Sequence, residues 1–252
     1  MNLGKLVDRL NERLGIEAYR DTDVSLNGLQ VGDRGTDVQT IVGAVDAALG
    51  PIDRAIDHGA DLIVVHHGLL WGDAEPLTGH RFERVSRLIE ADVALYTAHL
   101  PLDGHQQLGN AAHIADRLGM RDREPFPDPT APVGTIGSVS GDADDLLEGV
   151  ANTVDRDVSF LQTLGPEPAA IDRVAIVTGS GTGYIEAAVE AGADVLITGE
   201  GKHSAFHTAA DVGLPVVLAG HYATETAGVR ATLGVLEGWD LDTVFVDVPT
   251  GI

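Results

Sequence analysis

Apolar and polar positions along the chain fall into two alternating rhythms. In the opening stretch MNLGKLVDRLNERLG, Leu3, Leu6, Leu10 and Leu14 recur at helical spacing with charges between them. That pattern predicts an amphipathic helix and does not read as a signal peptide. Further on, short strand-like stretches rich in apolar residues dominate: 41–45, 61–65, 93–98, 133–139, 158–164, 174–177, 194–197, 215–219 and 244–248, with 62–65 apolar throughout. Runs of this length without polar alternation suit strands buried on both faces. Between them, 51–58, 81–90, 110–118, 142–154, 186–190 and 204–211 carry helical periodicity. Gly59, Gly119 and Gly192 serve as helix stops and Asp142 as a candidate N-cap. Asn27-Gly-Leu-Gln-Val-Gly32 reads as a glycine-bracketed turn or short strand.

Strands alternating with helices predict an α/β fold with mainly parallel sheets and helices packed around them. The two halves resemble each other. Ala55-Ile-Asp-His-Gly-Ala-Asp-Leu-Ile-Val64 parallels Ala188-Val-Glu-Ala-Gly-Ala-Asp-Val-Leu-Ile197, 133 residues later. His99-x-x-x-Asp103 parallels His221-x-x-x-Glu225, 122 residues later. A duplicated strand–helix unit follows, with the Pro-rich stretch 124–132 as the expected linker. The expected halves are 1–125 and 126–252, acting as one functional unit.

Composition narrows the classes. The sequence has 252 residues, enough for one large domain or two lobes. No apolar run approaches the ~18 residues that span a bilayer, and a cytoplasmic location is expected. There is no cysteine, so disulfides and thiolate chemistry are excluded and any metal must be held by nitrogen and oxygen. The formal charge is −23, from 16 basic and 39 acidic residues; Lys5 and Lys202 are the two lysines. Such an excess disfavours binding to nucleic acid or anionic membranes. The acids are scattered through the chain, a halophilic-type composition that high salt would screen.

Candidate chemistry gathers where strands are expected to end. In parallel α/β sheets, ligands bind beyond the carboxyl ends of the strands. Those exits carry His66 and His67, His99 and Asp103, Glu200, and His221 and Glu225. Imidazoles mixed with carboxylates suit Zn, Mn, Fe or Co and are poor for calcium. Adjacent histidines on an extended chain point to opposite sides, so His66 and His67 serve two ions more easily than one unless the backbone turns at Gly68. Either Asp103 or Glu225 is a candidate bridging carboxylate. Two ions about 3.5–4 Å apart activate water and stabilise a developing negative charge.

The motifs HHG, HLPLD and GHYATE, with NGLQVG near the start and ITGEG before the last, resemble the Nif-three-like family. Its members are also called GTP cyclohydrolase I type 2 homologues or dinuclear-metal-centre hexameric proteins. The resemblance covers about residues 1 to 250. It implies the Nif-three-like fold and two divalent ions on His66, His67, Asp103, His221 and Glu225, with Glu225 bridging. It places His99 beside the metals and implies a homohexamer with the sites facing an inner cavity. The chain departs from the family in one place, having His-His-Gly where many members have His-His-Pro; Gly68 is expected to loosen that turn without removing a ligand.

The remaining candidates are weaker. Gly179-Ser-Gly-Thr-Gly183 lacks the ending of a P-loop and the spacing of a dinucleotide fingerprint, and reads as a tight turn lining the cavity. Glu200 and Lys202 are expected to face substrate. His203 and His207, at i and i+4, read as solvated side chains, and Trp71 as a cavity wall or subunit contact. The reading is a dinuclear-metal-dependent hydrolase in which activated water acts on a nucleotide or related phosphorylated substrate. His99 is the expected general acid–base. The alternative is a non-catalytic metal-binding oligomeric scaffold or regulator.

Overall fold

The computed structural model describes residues 1–72, 76–168 and 171–251. In chain order the elements are α1 (Leu3–Leu14), β1 (Gly28–Val31), β2 (Thr40–Asp46), α2 (Leu49–Asp57), β3 (Leu62–His67), α3 (Gly79–Glu90), β4 (Ala94–Thr97), α4 (Leu100–Gly104) and α5 (Asn110–Arg117). Then follow β5 (Arg121–Phe126), β6 (Gly134–Ser138), α6 (Ala143–Thr153), β7 (Gln162–Leu164), β8 (Arg173–Ile176), α7 (Ile185–Glu190), β9 (Val195–Thr198), α8 (His203–Val212), β10 (Val216–Leu218), α9 (His221–Glu237) and β11 (Asp242–Phe245).

The chain divides into two compact units: Met1–Leu102 with Gly228–Val248, and Asp103–Ala227 with Pro249–Ile252. This corrects the expected division at 125/126. The Pro-rich stretch is no linker where it begins, because Glu124 and Phe126 pair with Ile136 and Gly134 of β6. Pro125 is tolerated there because β5 is an edge strand, where a missing N–H breaks no central ladder.

The first unit holds one sheet in the order β1-β4-β3-β2-β11. Its four strands β4, β3, β2 and β11 are parallel, and β1 closes one edge antiparallel. Residues 244–248 were expected to complete the second half; instead β11 lies beside β2, Asp242 against Thr40 and Phe245 against Gly43. The second unit holds a sheet in the order β5-β6-β8-β9-β10-β7. Only β8, β9 and β10 are mutually parallel, so the parallel character belongs mainly to the first sheet. The expected strand 158–164 is half strand: Val158–Phe160 form a 3-10 turn begun by Asp157, whose carboxylate accepts from Ser159 N at 2.8 Å.

In β3, Leu62, Ile63, Val64 and Val65 are each at most 1% exposed. Val42, Ala44, Ile63, Val65 and Leu95 pack on one face with Ile52 and Ala55 of α2 and Leu88 of α3. Each fully buried valine, leucine or isoleucine there contributes roughly 1.5–3 kcal/mol. A one-residue slip of β3 would turn that whole set over, so the core fixes the register of the histidines that end the strand.

The repeat seen in the sequence is a repeat of structure. Ile41 pairs with Leu62 across β2 and β3, and Val174 pairs with Val195 across β8 and β9. Both linking helices are followed by a left-handed glycine, Gly59 and Gly192. Asp61 Oδ2 then accepts from Gln39 N and Thr40 N, each at 2.8 Å, and Asp194 Oδ2 accepts from Asp172 N and Arg173 N at 2.9 and 2.8 Å. Each aspartate ties the start of one strand to the start of its parallel neighbour.

Candidate metal centre

In the first unit, β3 delivers its histidines at the carboxyl end of the sheet. His66 is fully buried, and its Nδ1 lies 3.0 Å from the carbonyl oxygen of Ala98. A carbonyl only accepts, so Nδ1 carries the proton and the ring's lone pair sits on Nε2. His67 Nδ1 donates to Asp46 Oδ1 at 2.8 Å, at the end of the neighbouring strand. His99 Nδ1 donates to Asp23 Oδ1, also at 2.8 Å. All three rings thus turn the same nitrogen outward, the tautomer that an oxygen partner on Nδ1 selects in metal-binding histidines. Ligand atoms of His66, His67 and His99 lie within 4.8 Å of one another.

The expectation that His66 and His67 diverge is not met. Their ring centroids are 4.6 Å apart. His66 is held by Ala98 after β4 and His67 by Asp46 on β2, and these anchors draw the rings together beyond the sheet end. Trp71 covers the group: its ring meets His99 edge-on at 4.9 Å, and its Nε1 donates to Gly68 O at 2.9 Å.

Gly68 does not loosen the turn as expected. A Cβ on it would lie 2.3 Å from Thr97 Oγ1 and 2.5 Å from Gln30 Oε1. Gln30 uses that space to clamp the turn. Its Oε1 accepts from Leu69 N at 2.7 Å and Leu70 N at 3.0 Å, and its Nε2 donates to Leu26 O at 2.8 Å.

In the second unit, Asp103 is buried and accepts on Oδ1 from Thr178 Oγ1 at 2.7 Å and Asn110 Nδ2 at 2.9 Å. Glu225 is also buried, one turn into α9, and an oxygen of each carboxylate lies within 4.8 Å of the other. His221 stands between two carboxylates, with Nε2 3.1 Å from Glu225 and Nδ1 3.1 Å from Glu200. Burial works against charge on this ring, but the hydrogen bonds and negative charges of Glu225 and then Glu200 outweigh it and raise its pKa to about 9. Gly179 lets the loop after β8 approach this pair: its φ is +62°, and a Cβ would fall 2.1 Å from Glu225 Oε1. Two amides of the Gly179–Gly183 loop are committed internally, Gly179 N to Thr224 Oγ1 at 3.2 Å and Gly181 N to Thr198 Oγ1 at 2.8 Å. That favours the tight-turn reading of the loop over a phosphate cradle.

A model for the family described as Duf34/NIF3 (NGG1p interacting factor 3) matches residues 1–251. The chain belongs to the DUF34/NIF3 family. It is 44% identical to a protein of Halobacterium salinarum named GTP cyclohydrolase 1 type 2 homolog, over the full length of both chains. A protein of the same name from Deinococcus radiodurans is 40% identical, with 98% of this chain and 94% of that one covered. Among solved structures, TTHA1606 from Thermus thermophilus matches with a TM-score of 0.87 and 36% identity over 100% of both chains.

Within this DUF34/NIF3 chain, the donor types present fit divalent ions of the zinc, manganese, iron or cobalt kind: imidazole nitrogens in one unit, two buried carboxylates and a fourth imidazole in the other. Asp23 was missed in the sequence because it lies outside the strand-exit motifs, and Asp46, at the end of the strand 41–45, was given no role. Asp23 Oδ1 accepts from His99 and from Ser25 N at 2.9 Å, and Oδ2 accepts from Asn27 Nδ2 at 2.8 Å and Leu100 N at 2.9 Å. Burial pushes its carboxyl up, but the hydrogen bond and charge of His99 and the other donors hold it below the ordinary value of 3.8. Of the expected substrate contacts, Glu200 is part-exposed and bonded to His221, while Lys202 is exposed just before α8. His203 and His207 are exposed on α8, their rings 5.5 Å apart, and among the described residues they join no metal-competent group.

Proposed function

We propose that the protein is a dinuclear-metal-dependent hydrolase acting on a nucleotide or related phosphorylated substrate, with two divalent ions on His66, His67, Asp103, His221 and Glu225. The observation that carries this reading is the clustering of three imidazoles with their Nδ1 atoms tied to oxygen. The pair of buried carboxylates beside His221 in the second unit supports it. The name shared by the Halobacterium and Deinococcus relatives points to guanine nucleotides. Divalent ions held there would supply a Lewis acid that acidifies water and stabilises negative charge.

The chain's own residues divide the remaining work. Ala98 and Asp46 orient His66 and His67, and Thr178 and Asn110 fix the Asp103 oxygen. His99, oriented by Asp23, is placed to take a proton at Nε2 and return it, as a general acid–base does. The same proposal includes a homohexamer and a cytoplasmic location. Supporting the assembly, Val24, Leu26, Phe82 and Ile89 expose apolar side chains in the first unit. Among the described residues no helix is long and apolar enough to cross a membrane.

The test is metal content by plasma mass spectrometry, followed by hydrolysis of GTP by wild type and His99→Ala. Bound metal with turnover that His99→Ala abolishes is the expected result. Full metal occupancy with no turnover of any nucleotide sinks the hydrolase and leaves the scaffold. Metal stoichiometry unchanged in a His66→Ala, His67→Ala double variant sinks the site.

A further inference from the structure

A cleft of about 460 Å³ opens in the second unit beside His221. It lies at the carboxyl ends of β9 and β10, the end of a parallel sheet where ligands bind. Its size is that of a small-molecule site. Phe160 and Leu218 supply apolar walls, and Leu218 pairs with Gln162 of the edge strand β7. Gly220 leaves bare backbone beside Phe160, where a Cβ would fall 3.0 Å from the ring, and this lets a flat ligand approach closely.

Charge selects the ligand. Glu200 is the one ionisable group among the described lining residues, and its Oε1 lies 3.1 Å from His221 Nδ1. Its carboxylate accepts hydrogen bonds and donates none, so the cleft favours a ring edge that donates them. Glu200 commits Oε1 to His221, yet its side chain is still 41% exposed, so a ligand in the cleft can reach the carboxylate. Gln162 and Ser159 add an amide and a hydroxyl for the remaining ring atoms.

Resting on the hydrolase reading, we infer that this cleft is the base-recognition subsite, taking a guanine-type ring whose adjacent N–H donors face Glu200 and whose plane lies against Phe160. An adenine edge places an acceptor where guanine has a donor, so the cleft discriminates against it.

The probe is guanosine, which carries the base and no phosphate. Its binding to the metal-loaded protein is measured by isothermal titration calorimetry against adenosine. Guanosine binds, adenosine binds at least about tenfold more weakly, and Phe160→Ala weakens guanosine about tenfold or more by removing ring stacking. Gln162→Ala, on an exposed edge-strand residue, is a second variant expected to weaken it with the fold intact. No guanosine binding, equal binding of the two nucleosides, or a guanosine affinity unmoved by both substitutions overturns the inference. The two readings fail separately: guanosine binding lost in Phe160→Ala without any turnover supports the subsite and removes the hydrolase. Turnover of a guanine nucleotide unaffected by Phe160→Ala and Gln162→Ala does the reverse.

Discussion

Asp23→Asn tests whether the histidines are held by built anchors or merely sit near oxygen atoms. The Asp23 carboxylate is fully buried and meets four donors: Ser25 N, His99 Nδ1, Asn27 Nδ2 and Leu100 N, all within 2.9 Å. An asparagine offers one acceptor oxygen, and its amide nitrogen is itself a donor. Two of the four donors must then face an N–H. Each buried donor left unsatisfied costs about 1–3 kcal/mol, so the substitution should destabilise the protein by roughly 2–6 kcal/mol. Asp46→Asn is the control. That carboxylate is 33% exposed and holds one histidine, so its loss should cost no more than ~1 kcal/mol. Urea unfolding gives the stabilities, and nitrogen-15 NMR of the imidazoles gives the His99 tautomer. The sign in acid follows from the lowered Asp23 pKa. Its contribution is present above the unfolded value of 3.8 and is lost as pH falls through the folded value. Wild type and Asp23→Asn should therefore converge in stability below pH 3.8. A cost under ~1 kcal/mol for Asp23→Asn with an unchanged His99 tautomer would refute the reasoning.

Three further outcomes are expected. Gly68→Ala forces a methyl against Thr97 and Gln30 and should cost about 1–3 kcal/mol in urea, as overpacking does; an unchanged midpoint contradicts the clamp. His221 holds its proton up to about pH 9, so its bridge to Glu225 and Glu200 stabilises the metal-free protein fully below the unfolded value of 6.5 and is lost as pH rises through 9. A divalent ion must displace that proton, so zinc affinity by calorimetry should rise about tenfold per pH unit between 7 and 9, and a flat profile would exclude His221 as a ligand. Finally, a charge of −23 spread over the chain predicts a melting temperature that climbs from 0.1 to 2 M KCl as the screening length shortens from ~10 Å toward 3 Å and below; a flat or falling curve refutes salt adaptation.

The elements most legible in the sequence were those whose signal is local. Runs such as 62–65 are apolar enough to be strands in any context, and Asp142 caps α6 through a reciprocal bond with Asp145 that needs no distant partner. What escaped depends on tertiary placement. The helix α9 was not foreseen, because its alanines, glycines and threonines mark no single apolar face. The destination of β11 could not follow from its own residues either, since an apolar run does not say which sheet it joins. Asp23 escaped for the same reason: it is one of 39 acids, and only folding brings it to His99, 76 residues away.

The duplication explains why ligand types differ between the units. Carried across by the common register of β2–β3 and β8–β9, Asp46 stands where Gly179 stands, and His66-His67 stand where Gly199-Glu200 stand. In the first copy the strand exit carries two imidazoles and the neighbouring strand supplies the carboxylate that orients one of them. In the second copy the exit carries the carboxylate itself, which orients His221 at the start of α9, after the next strand. The glycine at the Asp46 position leaves room for Glu225, whose oxygen lies where a side chain at 179 would begin. One strand–helix–strand framework thus yields a nitrogen-rich exit in one unit and an oxygen-rich exit in the other. The divergence lies in the exit residues, whereas the aspartate ties at 61 and 194 have stayed the same.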